Sequence, residues 1–447
     1  MEPYADTGPG FLRMGIAGAF AIFGAGACLV LIGDPSAARA GALVAVCLAL
    51  WLFEAVPPFV PTLLILSLSP LVIASDRPMA GMMTWMADPV LALFFGGLAL
   101  GVAAQRHGID GVVAGAVARG ARGSPRRLLA LAMVGTAGLS MWMSNIAAAA
   151  MMLAALAPVG GAHDDRLRRM LALGIAIAAN LGGMGTPIGT GPNGIAIGSA
   201  GAVQAVTFAH WMAFGVPLVA AAGAVAWGLI AFSQRLPAVA PPEPDSGRRL
   251  DRRGFLVVAL AATAAAAWMS EPWHGVSAAV VALALAAALF ASGLLAPRDL
   301  ASIDWSTLLL VAGGLGMGRL LEQAGLQAWI SDQVADASLS PTAVLALLLA
   351  AAAGLAAVMS NTAAATLLIP LAMAIDPHPP QWAILVALAA SFGMPFVVST
   401  PPNAMAVGRG VRSVDLLWVG GTLMVGGVVV LTLTGPLVLG LLGVGGR

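Results

Sequence analysis

Charge is scarce in this chain. Only 9% of its 447 residues are Asp, Glu, Lys or Arg, where a soluble domain carries about 25%. Lysine is missing altogether, so all 21 basic side chains are arginine. Tyr4 is the single tyrosine, and aromatic residues make up 6%. A formal net charge of +1 argues for no nucleic-acid partner and no acidic one. The two cysteines, Cys28 and Cys47, sit inside apolar runs and read as small core residues. No Cys/His cluster has metal-ligand spacing. The apolar segments hold no Gly-x-Gly-Asp, no His-Glu-x-x-His and no carboxylate pair, which excludes the usual membrane-embedded enzymes. No charged leader with a cleavage site precedes the first apolar run, so no cleaved signal peptide is expected.

What remains is 60% hydrophobic, with a mean hydropathy of +0.95. So much apolar sequence needs lipid as part of its solvent. Runs of membrane length recur at 14–33, 39–56, 59–75, 88–105, 168–200, 205–232, 254–270, 274–292, 303–323, 381–408 and 413–440. Two further apolar blocks, 126–158 and 341–374, carry Ser-Asn motifs. The expected fold is an all-α polytopic membrane protein. A charged, proline-rich linker from Gln234 to Arg253 divides it into halves.

Arginine placement gives the orientation, because cytoplasmic loops are enriched in arginine. Arg119, Arg122, Arg126 and Arg127 precede the first Ser-Asn block, and Arg166, Arg168 and Arg169 follow it. A segment with both ends on the cytoplasmic side has not crossed, so this block reads as a re-entrant hairpin. Arg248, Arg249, Arg252, Arg253, Arg298, Arg409 and Arg412 fit the same side. The second block is flanked by Asp332, Asp336, Asp376 and His378 and reads as a hairpin entering from outside. An N-terminus on the cytoplasmic side of a bacterial inner membrane follows.

The halves repeat each other in order. Gly96-Gly97-Leu98 matches Gly313-Gly314-Leu315, and Ser144-Asn145-Ile146-Ala147 matches Ser360-Asn361-Thr362-Ala363. Thr190-Gly191-Pro192-Asn193 matches Thr400-Pro401-Pro402-Asn403. Matching parts in opposite orientation make an inverted-topology repeat, a transporter architecture with its site at the repeat interface.

Four of the five asparagines lie in these motifs, and Asn180 shares a segment with Asn193. A buried carboxamide is costly unless paired, yet it can ligate a cation and hydrogen-bond an anion. Ser140 and Ser144 stand four residues apart, on one face of a helix, and could join Asn145 around one cation. Pro187, Gly189, Gly191, Pro192, Pro401 and Pro402 break their helices. Broken helices free carbonyls for Na⁺ and amide termini for oxyanions. Glu54, beside Pro57-Pro58, reads as structural, and Asp88 and Asp304 as helix caps. His107, His210 and His274 are isolated and do not read as ligands.

These motifs carry a resemblance. Trp51-Leu52-Phe53-Glu54-Ala55-Val56-Pro57, Gly96-Gly97, Leu139-Ser140-Met141-Trp142-Met143-Ser144-Asn145, Gly182-Gly183-Met184-Gly185-Thr186, Asp304-Trp305 and Ser399-Thr400-Pro401-Pro402-Asn403 resemble the divalent-anion:sodium symporters, the sodium–dicarboxylate cotransporters of the ion-transporter superfamily. The resemblance implies about eleven spans and two re-entrant hairpins, a homodimer and an elevator-type alternation. It implies mainly scaffold helices at 1–125 and 254–340, and transport-domain segments at 126–232 and 341–447, joined by a cytoplasmic linker at 233–253. One Na⁺ would lie on Ser140, Ser144, Asn145 and the backbone near Gly189. A second would lie on Asn361 and the backbone near Ala356, Met359 and Ser399. The anion would be held by Ser144, Asn145, Ser360, Asn361, Thr362, Thr400 and the loops at Pro192 and Pro401. Four positions depart from the family pattern: Ile146 stands where threonine is usual, Gly191 where proline is usual, and Ala356-Ala357 where Thr-Glu is common. The expected activity is Na⁺-coupled transport of a small divalent anion of the C4-dicarboxylate class. Na⁺-independent exchange, or carriage of sulfate or another oxyanion, is the alternative.

Overall fold

The computed structural model describes residues 10–72, 84–157, 165–200, 206–233, 250–336, 338–375 and 380–444. The linker residues 234–249, with Arg248 and Arg249, lie outside these, as do Tyr4, Asp376 and His378. Among the described residues the chain is helical, without strands.

The first half begins with α1 (Gly10–Leu31), α2 (Pro35–Leu52), α3 (Val60–Val72), α4 (Pro89–Arg106) and α5 (Ile109–Gly120). Asp34 and Asp88 cap α2 and α4 through backbone amides, each ahead of a proline at the first helical position. A two-helix turn follows, α6 (Pro125–Ser140) and α7 (Asn145–Ala155). Next comes an interrupted helix, α8 (Asp165–Gly182) and α9 (Gly191–Ala200), and then α10 (Phe208–Ser233).

The second half contains α11 (Arg252–Met269), α12 (Ala278–Ala291), α13 (Trp305–Gln323) and α14 (Leu326–Asp336). It repeats the turn as α15 (Pro341–Val358) and α16 (Asn361–Ile375), and the interrupted helix as α17 (Gln381–Ser391) and α18 (Pro401–Val407). It ends on α19 (Ser413–Leu441).

Seven of these helices are long and apolar enough to cross a membrane: α1, α2, α4, α10, α11, α15 and α19. Other apolar runs are shorter as helices than as sequence. The 168–200 and 381–408 runs are each cut in two by their Gly/Pro loops, and the 59–75 and 274–292 runs form helices of 13 and 14 residues. The arms of the first turn, of 16 and 11 residues, are about 24 and 17 Å long at 1.5 Å per residue.

The repeat is structural as well as sequential. Ser124 caps α6 and Ser340 caps α15, each before a proline. Ser144 caps α7 and Ser360 caps α16, accepting from Ala147 N at 3.2 Å and Ala363 N at 3.1 Å. Gly182 presses against Ala137 and Ser140, and Gly393 against the matching Ala353 and Ala356. A stack of Trp142, Phe208 and Trp268, with centroids 6.0 and 4.7 Å apart, ties the first turn to α10 and α11. The Trp51–Pro57 motif is a clasp: Trp51 Nε1 donates to Pro58 O at 2.8 Å. Glu54 is exposed at positive φ in that turn.

Arginines from both halves meet around the start of α8. Gly410 packs on the Arg169 stem, Arg409 donates to Leu153 O at 2.9 Å, and Arg126 lies over the Phe232 ring at 4.9 Å. His107 Nε2 meets Leu294 O at 2.9 Å, a structural contact.

Close backbone packing places α4 against α12. A side chain at Gly96 would overlap the carbonyl group and Cβ of Ala282. Gly96→Val is therefore expected to force these helices apart at a cost of about 1–3 kcal/mol. Thermal unfolding of the purified protein checks this, and an unchanged midpoint would refute the close contact.

Candidate functional site

A cavity of about 210 Å³ lies where the two turns meet the two interrupted helices. The Ser144-Asn145-Ile146 tip and the Ser360-Asn361-Thr362 tip each form part of its wall. Gly189-Thr190-Gly191 and Ser399-Thr400-Pro401-Pro402 form two more. Phe94 and Leu98 of α4, with Asp304 and Thr307 at the start of α13, complete it. Among the described residues no basic side chain lines the cavity, and Asp304 is the one ionisable residue that does.

The loops hold their shape through two asparagines. Asn193 Nδ2 donates to Gly183 O at 2.9 Å and Thr186 O at 2.7 Å. Asn403 Nδ2 donates to Met394 O at 3.1 Å and Phe396 O at 2.8 Å. Both side chains are fully buried, so each satisfies two carbonyls freed by its broken helix. These two carboxamides clamp loops, a different use from the ligand role open to them in the sequence. Thr400 additionally caps α18.

The asparagines at the tips are placed differently. Ser140 Oγ lies 2.7 Å from Asn145 Oδ1 and 2.6 Å from Ala179 O. One hydroxyl proton serves only one of these oxygens at a time. Asn145 Oδ1 and the Gly189 carbonyl both crowd the place where Gly183 would carry a Cβ. Four oxygens thus converge at the first tip. At the second, Asn361 Oδ1 is buried and has no hydrogen-bond partner among the described residues. Ser399 Oγ donates to Ala357 O at 2.6 Å and accepts from Phe396 N at 3.1 Å. Ala356 and Met359 are buried behind that tip. Oxygen-rich surroundings without thiol or imidazole among the described residues suit a hard cation.

Of the expected anion contacts, Ser144, Asn145, Ser360, Asn361, Thr362, Thr400 and Pro401 all line the cavity. Pro192 lies buried inside α9, just behind Gly191, which does line it. Gly191 is a glycine because the Thr362 side chain fills the space a Cβ would take. Ile146, matching Thr362, faces the cavity with 47% of its surface exposed. Asp304 caps α13 as expected, accepting from Thr307 N at 3.0 Å and Thr307 Oγ1 at 2.7 Å. That it also lines the cavity had no sequence signal. Asn180 had one, since it is among only five asparagines. It lines the cavity, its Nδ2 donates to Asn403 Oδ1 at 3.1 Å across the halves, and its Oδ1 has no hydrogen-bond partner among the described residues.

A family profile described as citrate transporter matches residues 48–390, more than half of the chain. The chain belongs to the citrate transporter family. This citrate transporter family member is 30% identical over 437 residues to an uncharacterised transporter of Haemophilus influenzae, covering 91% of this chain and 93% of the other. It is 27% identical over 411 residues to the sodium-dependent dicarboxylate transporter SdcS of Staphylococcus aureus, covering 81% and 78%. In fold it resembles the YdaH transporter of Alcanivorax borkumensis, with a TM-score of 0.56 at 13% identity over 84% of this chain and 98% of that one. The family member is thus a multi-pass membrane transporter, and its relatives are transporters rather than enzymes.

Asn193→Ala and Asn403→Ala each remove the partner of two buried carbonyls, and about 1–3 kcal/mol of destabilisation is expected from each. Unfolding in detergent reads it. Unaltered stability in both variants would show that the loops are held by something else.

Proposed function

We propose that the chain is a secondary active transporter of a small divalent anion, a C4-dicarboxylate of the succinate or malate type, coupled to Na⁺. The observation that carries this reading is the convergence of four helix N-termini without an acidic cap on a cavity that has no basic side chain among the described residues. The starts of α7, α9, α16 and α18 all contribute lining residues. Each terminus is worth roughly half a positive charge, so four supply about two, the charge of a dianion. A volume of about 210 Å³ lies below the roughly 300–1,000 Å³ of sites for drug-sized ligands, which suits a small metabolite. The dicarboxylate and sodium dependence in the name of the SdcS relative supports both substrate class and ion.

In this reading one Na⁺ takes Ser140, Ser144, Asn145 and the Gly189 backbone. A second takes Asn361 and the backbone at Ala356, Met359 and Ser399. Binding orders the tips and completes an anion site of Ser144, Asn145, Ser360, Asn361, Thr362, Thr400 and Pro401, with the Pro192 loop behind. Neutralising the dianion in this way lowers the cost of moving it through a low-dielectric interior.

The turns act as re-entrant hairpins of an elevator within a homodimer. Segments 126–232 and 341–447 move against scaffold segments 1–125 and 254–340, with 233–253 as the cytoplasmic linker. Glycines pave the contact between these segments: Gly97 packs on Ile188, Gly194 on Phe94, Gly198 on Leu315 and Gly314 on Ile195. The cavity lies on the same boundary, since α4 and α13 line one side of it. The arginine-rich end faces the cytoplasm of a bacterial inner membrane, as does the N-terminus, and lipid surrounds the remaining helices.

Uptake of labelled succinate into proteoliposomes under an inward Na⁺ or an inward choline gradient tests this. Uptake with Na⁺ alone is expected. Uptake with neither cation, recovered only on preloading or with sulfate, would instead identify an exchanger or oxyanion carrier and point to Ile146. Asn145→Ala and Asn361→Ala are each expected to lower Na⁺-driven uptake by at least about a hundredfold, the loss of a charge-assisted contact of roughly 3 kcal/mol. Wild-type rates in either would remove that tip from the site.

A further inference from the structure

The two halves cross over where they meet at the cavity. α16, behind the second tip, packs on α9 of the first half, and α7, behind the first tip, packs on α18 of the second. In the first of these pairings Thr362 stands beside Gly191. The matching positions in the other are Ile146 and Pro401. The two pairings are finished differently. Gly191 is buried and Thr362 half-buried, the threonine side chain filling the space where Gly191 lacks a Cβ. Ile146 keeps 47% of its surface exposed, and Pro401 is exposed as well, although both line the cavity. Helix α4 extends this apolar corner. A Cβ on Gly101 would press on Met143, just ahead of the first tip, and Leu98, three residues earlier on the same face of α4, lines the cavity.

A dianion of symmetric build therefore meets walls that are not symmetric. Exposed apolar surface inside a binding cavity is stabilised by an apolar group of the ligand, whereas a hydroxyl placed against it gives up water and finds no partner. We propose that the site takes a C4-dicarboxylate with an alkyl branch on its carbon spine, the branch lying against Ile146, Pro401 and Leu98, and that Ile146 sets this preference. The inference rests on the dicarboxylate reading above and narrows it. Thr362 cannot serve the same purpose on the other side, because its side chain is already packed against Gly191.

Titration calorimetry of the purified full-length protein in detergent, at saturating NaCl, tests it with succinate, 2-methylsuccinate and 2-hydroxysuccinate. The wild type is expected to bind 2-methylsuccinate about fourfold more tightly than succinate, the gain from one buried methyl group. Ile146→Val keeps the wall apolar and should hold that order. Ile146→Thr has the shape of the valine variant but carries a hydroxyl. It should lose the preference and bind 2-hydroxysuccinate several-fold more tightly than the wild type does. Equal affinity of the wild type for succinate and 2-methylsuccinate, or the same order in the threonine and valine variants, would overturn this inference and leave the dicarboxylate reading in place. Binding of none of the three acids by the wild type would overturn the dicarboxylate reading itself, and this inference with it.

Discussion

A helix interrupted inside a protein must find partners for the carbonyls and amides it no longer pairs, and the rest of this structure depends on how that is done. Two loops, 183–190 and 392–400, interrupt their helices, the first buried almost throughout and the second buried except around Phe396–Val398. In each, one asparagine from the following helix donates both of its amide protons to loop carbonyls. Left alone, each of those carbonyls would cost about as much as a lost hydrogen bond. With the clamps in place the loops have one shape, and the helix starts behind them have one direction. Asn180 of the first half then donates to Asn403, the clamp of the second.

Fixed helix starts give a cavity its electrostatic character without a guanidinium. A guanidinium holds an anion with full charge and a long, flexible stem. Helix termini supply partial charge at fixed positions and add no reorganisation when the anion arrives. The proposed Na⁺ ions complete the balance only when bound, which makes the anion's affinity conditional on them. Asp304 on the opposite wall sharpens that condition, because a fixed carboxylate disfavours an uncompensated dianion. Arginines of α8, with Arg412 ahead of α19, instead line a separate cavity of about 440 Å³.

Much of the site was legible because polar residues are so rare in this chain that each one carries information. The Ser-Asn pairs, the two Thr-x-Pro-Asn stretches and their order gave the tips, the breaks and the repeat. The roles within the motifs were less legible. Asn145 and Asn193 are the same residue type, yet Asn145 is half-buried and faces a cavity while Asn193 is fully buried and clamps a loop. Which way a carboxamide turns depends on the neighbouring carbonyls, and those are placed by packing. Gly191 looked like a departure from pattern, and it is the space the Thr362 side chain occupies.

The sequence by itself determined the medium, the helical class, the repeat and the residues at its tips, because hydropathy, proline and glycine act locally on the backbone. Tertiary structure decided what stands across from what. It set Asp304, Thr307, Phe94 and Leu98 opposite the tips, linked Asn180 to Asn403, and collected Arg166, Arg169 and Arg412 from distant parts of the chain around one cavity. Such meetings follow from how helices pack, and packing depends on the shapes of whole faces rather than on any short run of residues.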